Sequence, residues 1–309
     1  MKYTNKYGLP APFMKAAISI NEEYVKHEGV FRSNTGLIKP AQCATLENRY
    51  WDKLVTDVSD LVWIVLGKAT HYILENVPGQ NLLREETLFF DMVVDKVTYT
   101  IQTTLDLYDL TTDRLTDWKT TSVYSVTGKR IKDDWDAQLN IQAHALRVHG
   151  YEPKLLDIVA ILRDWSKKKA IVAGYSRWNE YPDVQVKTVH GKLWIPDKVV
   201  SYIAGRIRLH QWAELLDDDD LASAIPCTPE ERWEKPAVYA VKKKGRKNSV
   251  RNLKSEGEAL KYIRDKGWHN NPDYTVQVRP GESPRCQYYC DVQEYCHQWA
   301  KMKGAYIAK

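Results

Sequence analysis

The hydrophobic period of this chain changes repeatedly between residues 41 and 162, and that succession restricts its architecture more than any other feature. From 41 to 76 apolar residues recur at helical spacing (Leu54, Val58, Leu61, Val62, Val65, Leu66), and Pro78 and Gly79 end the run. From 86 to 122 the period becomes two. Leu88, Phe90, Val93 and Val94 lead into Val97, Tyr99, Ile101 and Thr103, and Leu105, Leu107 and Leu110 continue the pattern. A turn at 111–113 then precedes a short strand over Leu115–Thr120. Helical spacing returns over 134–149 (Leu139, Ile141, Ala145, Leu146, Val148), with Gly150 where a C-cap belongs, and Leu155–Leu162 is a short apolar strand. Helix, strands, helix, strand predicts an α/β core around a central mixed sheet flanked by helices.

The 309 residues allow one large domain or two modest ones. With 43% hydrophobic and 28% charged residues the chain can build a core, which excludes a largely disordered or collagen-like protein. No apolar stretch reaches the roughly 18 residues a spanning helix needs. Met1–Pro10 carry no apolar signal core, so the expectation is a cytoplasmic protein without a membrane partner. Three segments are expected: a mixed N-terminal arm (1–40), the α/β core (41–216) and a C-terminal region (217–309). A helix is expected over about 197–215. The acidic run Asp217–Asp220 after it reads as a solvated connector.

The formal net charge of +5 is unevenly spread: residues 227–309 hold 17 Lys and Arg against 10 Asp and Glu, a surplus of 7, so the rest of the chain is at −2. Lys242, Lys243, Lys244, Arg246 and Lys247 are expected at a hairpin tip between strands 237–242 and 249–253, followed by a helix (255–266) and a strand (274–279). Lys167–Lys169, after Trp165, are expected in a second turn. The 11 Trp and 19 Tyr, against 4 Phe, suit stacking platforms. Together these features suit salt-sensitive, sequence-tolerant contact with a DNA backbone, although a solvated tip would read the same way. No Gly-x-x-x-x-Gly-Lys-Ser/Thr loop occurs, so no ATP motor is expected within this chain.

The chemistry-bearing segment is Asp106, then Asp117-Trp118-Lys119, then Gln138. Residues two apart on a strand face the same side, so Asp117 and Lys119 project together, and a hairpin partner can bring Asp106 beside them. Two carboxylates and an ammonium in one small space suit a hard divalent cation, Mg²⁺ or Mn²⁺, which takes oxygen ligands and leaves positions for water and phosphate. The chemistry implied is phosphodiester hydrolysis by in-line attack, with Lys119 orienting the water or stabilising charge on the phosphate. Taken alone, Asp-Trp-Lys is equally an exposed strand with an ordinary ion pair.

His71 in Gly67-Lys68-Ala69-Thr70-His71, Glu86, Asp106, Asp117 with Lys119, and Gln138 occur in an order that resembles the RecB-like branch of the PD-(D/E)XK nuclease superfamily. The resemblance spans about residues 60–165 and implies a restriction-endonuclease-like core. It implies that His71, Asp106, Asp117 and the Trp118 backbone carbonyl bind the metal. It implies catalytic roles for Glu86 and Lys119, and that Gln138 orients DNA or catalytic groups. Thr103 stands where that family often has Gly, and Gln142 where it often has Tyr; neither replaces a ligand or the lysine. The resemblance implies a DNA nuclease acting at ends or on single strands, in recombination, repair or phage DNA processing. Alternatives are an endonuclease of the same fold and a non-catalytic DNA-binding protein. Processive relatives form rings or clamps, so an oligomer is compatible with the resemblance.

Five cysteines are present, and Cys286-x3-Cys290-x5-Cys296 is a compact group near the C-terminus. Clustered cysteines without a secretion signal read as metal ligands before disulfides. A fourth ligand must come from elsewhere: Cys227 is the first choice, Cys43 the second, and His297 could replace one thiolate at zinc. Four thiolates suit a structural Zn²⁺ or a [4Fe–4S] cluster. The resemblance to RecB-like, CRISPR-associated and AddB-type nucleases favours iron–sulfur. With Cys227 as ligand, the basic segment 237–279 becomes an insertion closed at its base by the cluster.

Overall fold

A computed structural model describes residues 1–22, 29–128, 130–174 and 180–307. In chain order the elements are β1 (Lys2–Thr4), α1 (Ala11–Glu22), β2 (Phe31–Ser33), α2 (Asn34–Ile38), α3 (Ala41–Tyr50), β3 (Val55–Asp57), α4 (Val62–Glu75), β4 (Leu82–Val94), β5 (Val97–Asp109), β6 (Arg114–Thr121), α5 (Asp133–Val148), β7 (Leu155–Leu162), α6 (Lys167–Gly174), β8 (Val186–His190), α7 (Pro196–Leu215), α8 (Asp218–Ala224), β9 (Val238–Lys243), β10 (Arg251–Leu253), α9 (Glu256–Asp265), β11 (Tyr274–Arg279) and α10 (His297–Ile307). They form two compact units. The first comprises 1–39 and 52–214, the second 40–51 and 215–309.

The first unit is α/β with a mixed six-stranded sheet. β4 and β5 pair antiparallel over their whole length, closed by Asp95 and Lys96 at φ 51° and 68°, the left-handed pair that a tight two-residue hairpin turn requires. The other edge of β5 is shared: β2 pairs parallel with it at 100–102, and β6 antiparallel at 107–109. β6 then runs parallel to β7, and β7 antiparallel to β8. The crossover from β6 to β7 is α5, whose first turn carries Asp133, Asp134 and Asp136, charges that suit a helix N-terminus. Ile101, Leu105 and Tyr108 of β5, Leu139, Ile141 and Leu146 of α5, Ile158 and Leu162 of β7 and Ile203 of α7 are fully buried and form the centre of one apolar core.

Three expectations need correction. The run 41–76 is not one helix. It breaks after Tyr50, passes through β3, and resumes as α4. Asp57 enforces the break, because its carboxylate takes the backbone N–H of Ser59 at 3.1 Å and of Lys6 at 2.9 Å and the hydroxyl of Thr4 at 2.7 Å. The expected arm is not a loose edge: β1 pairs with β3, β2 adds to the central sheet, and Ala17 of α1 is fully buried against Val58 and Leu61. Residues 23–28 of that arm lie outside the described residues. The boundary at 41 also moves, since α3 belongs to the second unit.

In the second unit β9, β10 and β11 form an antiparallel sheet of order β10-β9-β11, with α9 packed on it through Val241, Ala259 and Ile263. This agrees with the expected strand–strand–helix–strand insertion. The acidic run is not a free connector. Asp217 caps α8 through the Asp220 N–H, Asp218 pairs with Arg49 and the Tyr50 hydroxyl, and Asp219 pairs with His297. Lys167–Lys169 open α6 rather than a turn. No described helix is long and apolar enough to cross a membrane.

Candidate functional site

The strand registers gather the charged groups. Glu86 pairs with Leu105 and Arg84 with Leu107, so Glu85 lies opposite Asp106. Leu107 pairs with Thr116, and continuing that register sets Asp106 opposite Asp117, at the point where β5 and β6 part. Opposed residues share a sheet face. Glu85, Asp106 and Asp117 therefore form one row across three strands. The parted strands leave the Trp118 N–H free of the ladder with β5, and it donates instead to Asp106 Oδ2 at 2.7 Å.

α4 adds His71 to this row. Its Nδ1 lies 2.9 Å from Glu85 Oε1 and 3.7 Å from Asp106 Oδ1. One ligand atom each from His71, Glu85 and Asp106 lie within 4.8 Å of one another. Asp117 is fully buried; its Oδ1 accepts from Gln138 Nε2 at 2.7 Å, and its Oδ2 lies 2.7 Å from Lys119 Nζ. The ammonium approaches Oδ2 off the direction of a hydrogen bond, so this buried oxygen has an ion-pair partner but no directed donor. One imidazole and several carboxylate oxygens, one of them sealed and underused, fit a hard divalent ion.

Electrostatics follow from the crowding. Burial, then the Asp117 charge, pushes Asp106 up to about 7. The Glu85 hydrogen bond raises His71 against the opposing effect of burial, and the Asp106 and Asp117 carboxylates add to it. Burial would lower Lys119, but the Asp117 and Asp106 carboxylates outweigh it and its pKa rises. Asp106 therefore titrates near neutrality, and a cation would compete with its proton. A carboxyl raised from about 3.9 to about 7 binds its proton more tightly when folded, so stability falls as pH rises through that window. Millimolar Mn²⁺ should accordingly raise the melting temperature by about 5 °C near pH 8 and by much less near pH 5.5. Equal shifts at both pH values, or none, in differential scanning fluorimetry would remove these residues as a cation site.

One expected residue is replaced. Glu86 is exposed and faces away from the row, whereas its neighbour Glu85 meets His71. The register on either side keeps Glu85 opposite Asp106, although Glu85 itself, at φ 45°, makes no ladder pair with β5. Sequence reading missed Glu85 because the Arg84-Glu85-Glu86 alternation assigns either glutamate equally well. Asp117 is adjacent to the three-residue group but is not one of its members. It is the Trp118 N–H, not a carbonyl, whose contact with the carboxylates is seen. Thr103 is buried and accepts from Asn34 at 3.0 Å, and Gln142 donates to the Thr104 carbonyl at 2.9 Å, so both departures from the family pattern are absorbed by packing.

In the second unit all five cysteines are free thiols, and they converge. Cys43 Sγ lies 3.7 Å from Cys227 Sγ and also hydrogen-bonds Cys290, while Cys290 is electrostatically coupled to Cys286 and Cys296. The contacts thus run 227–43–290, with Cys286 and Cys296 close enough to Cys290 to feel its charge. Cys43 stands between Cys227 and the C-terminal trio, so both candidates for a fourth ligand lie beside the trio. His297 is engaged by Asp219 at 2.9 Å and is not part of the cluster. Backbone N–H groups of Val292 and Trp299 point at the Cys290 and Cys296 sulfurs, and Arg285 and Arg232 stand near the trio. Burial pushes the Cys286 thiol up to about 11; Cys43 is raised chiefly by its hydrogen bond with Cys227 and by burial, and Cys290 by its hydrogen bond with Cys43 and by burial. Such thiols stay protonated until a metal displaces the protons.

At the hairpin tip Gly245 has φ 76°, which turns the chain, and Lys244, Arg246 and Lys247 are exposed. Lys242 donates to the Lys247 carbonyl at 2.8 Å, and Lys243 lies over the Tyr274 ring, which stacks on Trp268.

No family model matches this chain, and no curated protein matches it. A solved structure, that of SSO0001, is similar to it with 16% sequence identity and a TM-score of 0.47, covering 66% of this chain and 88% of that one.

Proposed function

We propose that the first unit is a restriction-endonuclease-like core and that the chain is a Mg²⁺- or Mn²⁺-dependent DNA nuclease, an exonuclease acting at ends or on single strands. The observation that carries this reading is the row Glu85–Asp106–Asp117, flanked by His71 on one side and Lys119 on the other. Three carboxylates opposed across neighbouring strands repel one another, and no packing need explains them; a cation does. His71, Glu85 and Asp106 would hold it. When bound, the ion supplies Lewis-acid polarisation of the phosphodiester and a water of lowered pKa.

The protein's own groups do the rest. Gln138 fixes Asp117 Oδ1, and Asp117 in turn fixes the Lys119 ammonium. Lys119 stays charged, so it meets the negative charge that builds on the phosphate during in-line attack without reorganising. The Trp118 N–H holds the Asp106 carboxylate in one orientation. The exposed Lys244, Arg246 and Lys247 suit sequence-tolerant phosphate contact. The thiol cluster is read as a structural metal centre, [4Fe–4S] by resemblance. Zinc is the second reading, because four thiolates also suit a tetrahedral structural zinc.

Mn²⁺-dependent degradation of linear and covalently closed circular DNA tests the activity. Loss of the linear form alone is expected; loss of both makes the enzyme an endonuclease, and loss of neither leaves a DNA-binding protein.

A further inference from the structure

α4 is apolar in composition, yet none of its side chains is buried. One stripe of it, spaced three and four residues apart, carries Trp63, Gly67, Thr70 and His71. His71 belongs to the candidate metal centre, and Trp63 lies eight residues earlier, about 12 Å along the axis. Between them the stripe has no wall: a Cβ at Gly67 would meet nothing within 4 Å. Thr70 is fastened to Thr120, the neighbour of Lys119, by a 3.3 Å hydrogen bond, so this stripe lies along the strand that carries Asp117 and Lys119.

At its far end Trp63 is 48% exposed, and the guanidinium of Arg163 lies over its ring, 4.0 Å from the centroid. Arg163 follows β7, and its backbone N–H donates to Thr121 at 2.9 Å, which sets it two residues past Lys119 on the adjoining strand. Arg163 is itself exposed. An exposed indole beside an exposed guanidinium offers a π-face for a base and a charge for the phosphate next to it.

We infer that Trp63 and Arg163 form a stacking platform for an unpaired nucleobase of the substrate strand, a few nucleotides from the scissile phosphate, and that the open surface at Gly67 is the track along which the strand reaches the metal centre. This deepens the nuclease reading and rests on it for the identity of the strand. The competing explanation is a cation–π latch that merely holds α4 to the end of the sheet.

Fluorescence anisotropy of a labelled single-stranded DNA oligonucleotide with the full chain in Ca²⁺, which replaces the catalytic ion, separates the two. Trp63→Ala is expected to weaken binding about tenfold, and Trp63→Phe to restore most of it. A series of oligonucleotides, each with one abasic position, should show one or two positions where base loss weakens wild type about tenfold and leaves Trp63→Ala unchanged. Arg163→Gln should weaken binding and flatten its salt dependence. An RNA oligonucleotide of the same sequence distinguishes a deoxyribose-selective track from one open to any single strand. A latch predicts a lower melting temperature for Trp63→Ala with the abasic profile retained; that result, or unaltered affinity, overturns the platform. Base-sensitive binding without Mn²⁺-dependent cleavage would defeat the nuclease reading and leave the platform standing. Cleavage without base sensitivity would do the opposite.

Discussion

Lys119→Ala is expected to lower Mn²⁺-dependent DNA cleavage about 10³-fold while leaving DNA affinity within a few-fold of wild type. The ammonium sits 2.7 Å from the buried Asp117 carboxylate and stays charged, so on the proposed reading it meets the charge that develops on the phosphate. Binding should persist because the exposed basic groups at the hairpin tip are untouched. The same substitution strips a buried carboxylate of its ion-pair partner, which costs about 3 kcal/mol in comparable buried pairs. A bound divalent ion restores positive charge to the row, so Mn²⁺ should stabilise Lys119→Ala more than wild type while cleavage stays lost. That split separates a chemical role from a structural one. Cleavage at wild-type rate would take Lys119 out of the mechanism, and a melting temperature unrecoverable by Mn²⁺ would mean that no cation reaches Asp117.

Why the sequence revealed this much, and not more, can be traced to particular residues. β7 and β11 were readable to the residue, because alternation over many residues leaves no other period, whereas the Asp95–Lys96 turn that splits the long alternating run into β4 and β5 was not, since neither residue is a turn glycine. The approach of Asp106 to Asp117 was readable because period-two alternation puts Asp117 and Lys119 on one face and a hairpin partner can bring Asp106 beside them, and the register does oppose Asp106 to Asp117. Glu85 was not readable, because two adjacent glutamates differ only in their register against β5, which the local alternation does not specify. The break between α3 and α4 depends on Asp57 reaching Thr4 and Lys6, partners more than fifty residues away. Placing α3 beside the C-terminal region depends on Arg49 and Tyr50 meeting Asp218, which is more distant still. In the metal-free chain Asp57, held by those donors below the usual carboxylate range, favours folding above its ordinary pKa, and this contribution fades as the medium is acidified.

Cys43 is the sharpest case, since its relation to the C-terminal trio spans the whole first unit in sequence and lies within the second in space. Five thiols exceed the four a tetrahedral zinc or a cubane takes from protein, so one is dispensable. Cys43, in contact with both Cys227 and Cys290, cannot be the one left over without breaking the chain of contacts; Cys227, which touches the group through Cys43, can. Cys43→Ser, Cys286→Ser, Cys290→Ser and Cys296→Ser are therefore each expected to lose the metal, read as iron and zinc content of anaerobically purified protein. Cys227→Ser is expected to keep it. Structural metal supplies several kcal/mol to the unit that holds it, so the first four should melt at least about 10 °C lower. Iron with absorbance near about 400 nm identifies a cluster, and colourless protein containing zinc identifies the alternative. Metal lost from Cys227→Ser but kept in Cys43→Ser would restore Cys227 as the ligand, and metal kept in all five would show that these thiols are packing alone.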